Sequence, residues 1–164
     1  MEIVTRPFHV IATRAIAQHV GEETLYSGVF RALRQIYNDE GIRGLYVGLT
    51  PALLYHVLNS FLYEILVVTI EETAKLIPMA ILRAGFVIIK VPIASYITKS
   101  YTYPFRLVSN VMTVNNTKLV AASLGPTYTS WKDCWRSLKT SGNLFRGNVM
   151  LLPRFIHNHP MNQL

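Results

Sequence analysis

Arg6-Pro7-Phe8-His9-Val10-Ile11 recurs ninety-seven residues on as Tyr103-Pro104-Phe105-Arg106-Leu107-Val108, and the segments after each copy recur in the same order. After the first come Tyr26, an amphipathic stretch and Glu40-Gly41-Ile42-Arg43-Gly44-Leu45-Tyr46-Val47-Gly48. After the second come Tyr128, another amphipathic stretch and Gly142-Asn143-Leu144-Phe145-Arg146-Gly147. Blocks repeated in one order mark an architecture assembled from copies of one supersecondary unit. The expected division is 1–77 for the first unit and 78–164 for the second.

Working outward, each amphipathic stretch reads as a surface helix. In the first, Val29, Phe30, Leu33, Ile36 and Tyr37 share one face, with Arg31, Arg34 and Gln35 opposite. In the second, Trp131, Cys134, Trp135 and Leu138 share a face, with Lys132, Arg136 and Lys139 on the polar side. Tryptophan suits a membrane boundary.

Between the surface helices lie two apolar runs. Pro51 to Ile70 is about one bilayer thickness as a helix, with Pro51 in a tolerated first-turn position and Glu71, Glu72 and Lys75 as the polar stop. Pro78 to Met112 is long enough to span with tilt, kinked at Pro92 and Pro104. It carries Arg83, Lys90 and Lys99, charges that are costly at membrane depth unless they face a polar cavity or reach an interface. Whole-chain composition agrees: 51% hydrophobic and 15% charged residues, with mean hydropathy +0.28, is more apolar than an ordinary soluble domain.

Several function classes recede. Net charge is +7, but no nucleic-acid motif accompanies the basic residues, so no nucleic-acid partner is expected. Cys134 is the single cysteine, which leaves no intrachain disulfide or thiolate metal site and fits a reducing or redox-neutral setting. Gly-x-Ser-x-Gly, His-Glu-x-x-His and phosphate-loop motifs are missing, so neither catalytic residues nor a metal or cofactor is expected. Met1 to Pro7 has neither the apolar core of a secretory signal nor the Arg-rich face of a cleaved presequence, which points to internal targeting.

A proline-ended helix, a surface helix, a glycine turn and a second helix in succession resemble the mitochondrial carrier repeat. The resemblance implies an all-α transmembrane helical bundle, of which the chain would supply about one and a half to two of three repeats. It would begin just before the proline of the second repeat, as a fragment, a truncated isoform or an incomplete gene model. At its far end, Val149 to Pro153 starts a further helix that His157 to Pro160 stops.

The carrier pattern places an acid two residues after the proline and a base three further on, so that neighbouring helices close the cavity by ion pairs. Here those positions hold His9 and Ala12, then Arg106 and Ser109; Arg14 alone survives. Val47 stands where the turn motif has a base, and the second turn is two residues shorter between Gly142 and Gly147 than the first between Gly41 and Gly48. Alternating access is thereby put in doubt.

These departures, together with Gly48-Leu49-Thr50-Pro51, Ser109-Asn110-Val111-Met112, Val114-Asn115-Asn116 and Tyr128-Thr129-Ser130-Trp131, are similar to the mitochondrial carrier homologs. That resemblance implies multi-pass residence in the mitochondrial outer membrane. It also implies insertion of tail-anchored and other helical membrane proteins, reception of a pro-apoptotic effector and influence on lipid metabolism. A carrier fold open sideways to lipid gives a hydrophilic guest segment a lower-cost route across the apolar core. On this reading His56, Asn59, Ser60, Glu64, Lys90, Lys99, Ser100, Ser109 and Asn110 line the groove. Alternatives stay open: Asn59 and Ser60 could bond a neighbouring helix, His56 could be structural, and Glu64 and Lys90 could pair with each other. Asn115 and Asn116 are expected to cap or turn the chain.

Element order also sets the topology. Both long loops, with Arg14, Arg31, Arg34, Arg43, Arg106, Lys118, Lys132, Arg136, Lys139 and Arg146, should share one face. Such a face attracts anionic lipid head groups at about 1 kcal/mol per suitably placed cation.

Overall fold

The computed structural model describes residues 2–20, 22–115, 117–123 and 125–148. Asn116, the expected helix start at Val149–Pro153 and the stop at His157–Pro160 lie outside the described residues, as does the Arg83 side chain.

Among the described residues six helices follow in order: α1 Glu2–Val20, α2 Val29–Leu45, α3 Leu49–Lys75, α4 Ala80–Val114, α5 Val120–Ser123 and α6 Trp131–Thr140. The fold is all-α among the described residues, as expected of an incomplete bundle of mitochondrial-carrier type. Its punctuation is the punctuation of the sequence. Gly41 breaks α2 at φ 69°, and Gly48 takes φ 70° to start α3 two residues before Pro51. Ser130 caps α6, its hydroxyl accepting from the Lys132 amide at 3.3 Å.

Helix α3 runs past the expected end at Ile70. Glu71, Glu72 and Lys75 end the apolar stretch without ending the helix, because they are good helix formers and Lys75 pairs with Glu72 at 2.6 Å one turn away. Helix α4 absorbs both Pro92 and Pro104 in 35 residues, about 52 Å of helix. Thr98 and Thr102 return their hydroxyls to the carbonyls four residues before them, which keeps those groups satisfied inside the packed face. The two long helices form an antiparallel hairpin across Leu76–Met79.

A compact core sits at one end only. Val10 and Ile11 of α1, Tyr26, Ala32 and Ile36 of α2, and Leu119 beyond α4 pack together there. Burial splits the expected apolar stripe of α2: Ala32 and Ile36 turn inward with Leu33 alongside, while Val29, Phe30 and Tyr37 are exposed. A helix lying on α1 can bury only the part of its circumference that α1 covers, so the outer part of a broad stripe stays outside.

Among the described residues the hairpin has no such core along its length. Val57, Phe61, Ile65 and Val68 on α3 and Leu82, Phe86, Ile88 and Val91 on α4 are exposed, a distribution suited to lipid rather than water. None of the most apolar 18-residue window of α3 is buried inside the molecule. Among the described residues α3 is the one helix long and apolar enough to cross a membrane.

Candidate functional site

Polar chemistry concentrates where α1, the turn before α3 and the last turns of α4 meet. Arg6 is buried, and its Nη2 donates to the Val47 carbonyl at 2.6 Å, to Ser109 Oγ at 2.9 Å and to Thr113 Oγ1 at 3.3 Å. Its Nε also reaches the Val47 carbonyl, at 3.2 Å, and Glu2 stands 3.7 Å away. The Ser109 hydroxyl donates in turn to the Gly48 carbonyl at 3.0 Å, and Thr113 donates to the Ser109 carbonyl at 2.8 Å. Two turns along α1, the fully buried Arg14 donates to the Thr113 carbonyl at 3.0 Å and grips Glu40 through two parallel bonds of 2.5 and 2.8 Å. Sequence reading picked out Arg14 and Ser109 but missed Arg6, Thr113 and the role of Glu40. A cation directly before the motif proline was the available signal.

The repeated sequence blocks make repeated contacts. Tyr103, directly before Pro104, donates to the Arg146 carbonyl at 2.6 Å, just as Arg6, directly before Pro7, donates to that of Val47. Each accepting carbonyl precedes a positive-φ glycine, Gly48 or Gly147. Gln18 brackets the Tyr26 backbone, accepting from its amide at 2.8 Å and donating to its carbonyl at 3.4 Å. Asn115 brackets Tyr128 the same way at 3.3 and 2.8 Å. Asn115 thus ties down the loop to α6 as well as ending α4.

The nine expected groove residues are not gathered into one cleft. His56, Ser60 and Glu64 run i, i+4, i+8 along α3 and are exposed throughout, with His56 Nε2 2.9 Å from Glu2. Among the described residues no ion pair engages Glu64, and Lys90 instead pairs with Glu71 at 2.9 Å. Asn59 accepts from Thr102 at 3.4 Å, a helix-to-helix bond. Ser100 and Ser109 are buried in packing, the Ser100 carbonyl taking a bond from Asn148 at 3.3 Å, while Lys99 and Asn110 are exposed. Of the carrier-motif positions, His9 and Arg106 are exposed. Two surface hollows, one bounded by Arg31, Arg34, Asp39 and Lys118 and one by Tyr46, Pro51, Met112 and Trp131, are lined by none of the nine.

On α6 the expected faces hold: Cys134 is buried, Trp135 packs on Phe105 with ring centres 4.7 Å apart, and Lys132, Arg136 and Lys139 are outside. Burial pushes the Cys134 thiol up to about 11.

Residues 1–77, which carry α1, α2 and α3, match the family model described as mitochondrial carrier protein. Mouse (Mus musculus) mitochondrial carrier homolog 2 is 37% identical over 150 residues, 90% of this chain and 49% of that protein. The chain belongs to the mitochondrial carrier family. Mouse mitochondrial carrier homolog 1 is 32% identical over 173 residues, covering 93% of this chain and 44% of its own length. The Arabidopsis thaliana chloroplastic nicotinamide adenine dinucleotide transporter 1 is 36% identical over 110 residues, 65% of this chain and 35% of that protein. The chain spans about half the length of the curated mitochondrial carrier homologs it matches. No solved structure matches it.

Proposed function

We propose that this family member is a multi-pass protein of the mitochondrial outer membrane that helps tail-anchored and other helical proteins enter the bilayer. The observation that carries the reading is the stripe His56–Ser60–Glu64 on α3, exposed along a helix of membrane-crossing length. Glu64 lies near the middle of that helix, where a carboxylate facing hydrocarbon is costly. A stripe of this kind is stable beside water drawn into the membrane or beside a polar guest. The same groups lower the barrier for a guest's hydrophilic segment by replacing part of its lost hydration. The proposed action makes and breaks no covalent bond, so the protein is not an enzyme on this reading. Similarity to the mitochondrial carrier homologs supports the family setting; a link to a pro-apoptotic effector or to lipid metabolism would depend on which clients or lipids meet the stripe.

Reconstitution of the full-length protein in liposomes with a tail-anchored substrate tests the reading. Insertion should fall several-fold in Glu64→Leu and less in Lys90→Leu, whose partner Glu71 sits at the helix end. Unchanged insertion in both variants rejects the stripe as the guest's route. Insertion-free binding of a client would favour a receptor or scaffold instead. Similarity to the Arabidopsis nicotinamide adenine dinucleotide transporter favours solute carriage as a second reading. Uptake of nicotinamide adenine dinucleotide by the same liposomes, without client insertion, would establish it.

A further inference from the structure

We infer that Arg6 is a permanent clamp between α1 and α4, and that this junction stays closed during function instead of opening and shutting. The inference goes beyond the proposed function and holds equally for an insertase or a scaffold.

The clamp is built from groups that the carrier pattern does not use for closure. Ser109 stands where that pattern has a base, and it accepts from Arg6 while donating to Gly48. One guanidinium therefore ties α1 to the turn before α3, through Val47, and to two successive turns of α4, through Ser109 and Thr113. An ion-pair closure can part when water enters, because both charged partners regain hydration. Here the acceptors are two hydroxyls and a carbonyl, and Arg6, Ser109 and Thr113 are all buried. Parting the helices would strip several charge-assisted bonds at once, and the carboxylate beside Arg6, Glu2 at 3.7 Å, sits on α1 itself, so no second charge across the junction is there to rehydrate.

Packing shows how closely the turn fits the clamp. A Cβ on Gly48 would lie 2.6 Å from Arg6 Nη2 and 2.6 Å from the Ser109 carbonyl oxygen, at a φ of +70° that already favours glycine. The second block supplies an internal comparison. Tyr103 makes the matching bond to the Arg146 carbonyl, but among the described residues its hydroxyl has no further acceptor on another long helix. Among those residues, only the first block's version reaches across to a helix of the other block.

The test uses the full-length protein in lipid nanodiscs with spin labels at the exposed positions Ile16 on α1 and Tyr101 on α4. Pulsed electron–electron distance measurement should give one narrow distribution, unaltered by a bound tail-anchored client or by nicotinamide adenine dinucleotide. Arg6→Gln and Gly48→Ala should each broaden it, and Tyr103→Phe should not. Where Arg6→Gln does not fold, Ser109→Ala with Thr113→Val removes two acceptors and should broaden it too. Two distances in the unmodified protein would overturn the inference. So would a narrow distribution in every folded clamp variant, or equal broadening by Tyr103→Phe. A narrow, unaltered distance in an unmodified protein that inserts no client would count against the proposed function alone, so the two ideas fail separately.

Discussion

Arg14 and Glu40 share a bond pair but not an environment, since Arg14 is fully buried and Glu40 keeps 28% of its side chain exposed. Removing either one therefore leaves a different orphan. Glu40→Leu strands a guanidinium in the core and should cost about 5 kcal/mol, whereas Arg14→Leu leaves a carboxylate that can turn to water and should cost nearer ~3 kcal/mol. Denaturant unfolding of the two variants in one detergent gives the ranking; the reverse order would place the desolvation burden on the wrong partner. Cys134 makes a second case at this scale. With its thiol pushed up to about 11, thiolate is scarce near neutral pH, so the folded protein should resist maleimide. Labelling monitored by mass spectrometry should speed up as pH rises toward 11, and unfolding in detergent should open the site at neutral pH. Arg14 was legible in the sequence as the one motif base retained. Arg6 was not, because its partners lie 41, 103 and 107 residues away and two are uncharged hydroxyls that no charge pattern reveals.

The helices themselves could be read more fully than their surroundings. Glycine, proline and 3.6-residue periodicity located α2, α3, α4 and α6, since these signals act over a few residues. What periodicity left out was which part of an apolar stripe has a neighbour. On α2, Ile36 is 1% exposed and Phe30 is 87% exposed, although both belong to the same sequence stripe. Ile36→Ala should therefore cost about 2–4 kcal/mol through lost burial and the cavity left against α1. Phe30→Ala should change folding stability by about 0.5 kcal/mol or less, the range of a surface substitution. Thermal unfolding of both would decide it: equal losses would mean that the stripe is buried as a whole. The nine expected groove residues are spread over several surroundings for a related reason. Spacing lets His56, Asn59 and Glu64 share a face of α3, but it says nothing of a facing helix: Asn59 bonds Thr102, Ser60 joins the exposed stripe in its place, and Ser100 and Ser109 are buried in helix contacts.

For the whole molecule, order and length of elements constrain the placement of every loop. Three residues separate α2 from α3, and α6 comes after α4, so α2 and α6 lie at the same end of the hairpin while Leu76–Met79 forms the other. If α3 crosses the bilayer and α4 returns, single cysteines at Arg34 and Lys118 must be reached from one side and a cysteine at Leu76 from the other, all three native side chains being exposed. On intact mitochondria, a membrane-impermeant maleimide should label either the first pair or the third alone, and permeabilising the outer membrane should add the missing set. Labelling of all three before permeabilisation would mean that the hairpin lies on one side of the membrane, and the exposed apolar surface of α3 would then need a protein partner to cover it. The same data would orient the basic end, where Arg31, Arg34 and Lys118 stand around one hollow, toward either the cytosolic or the internal surface. That choice decides which leaflet's anionic lipids the face can attract.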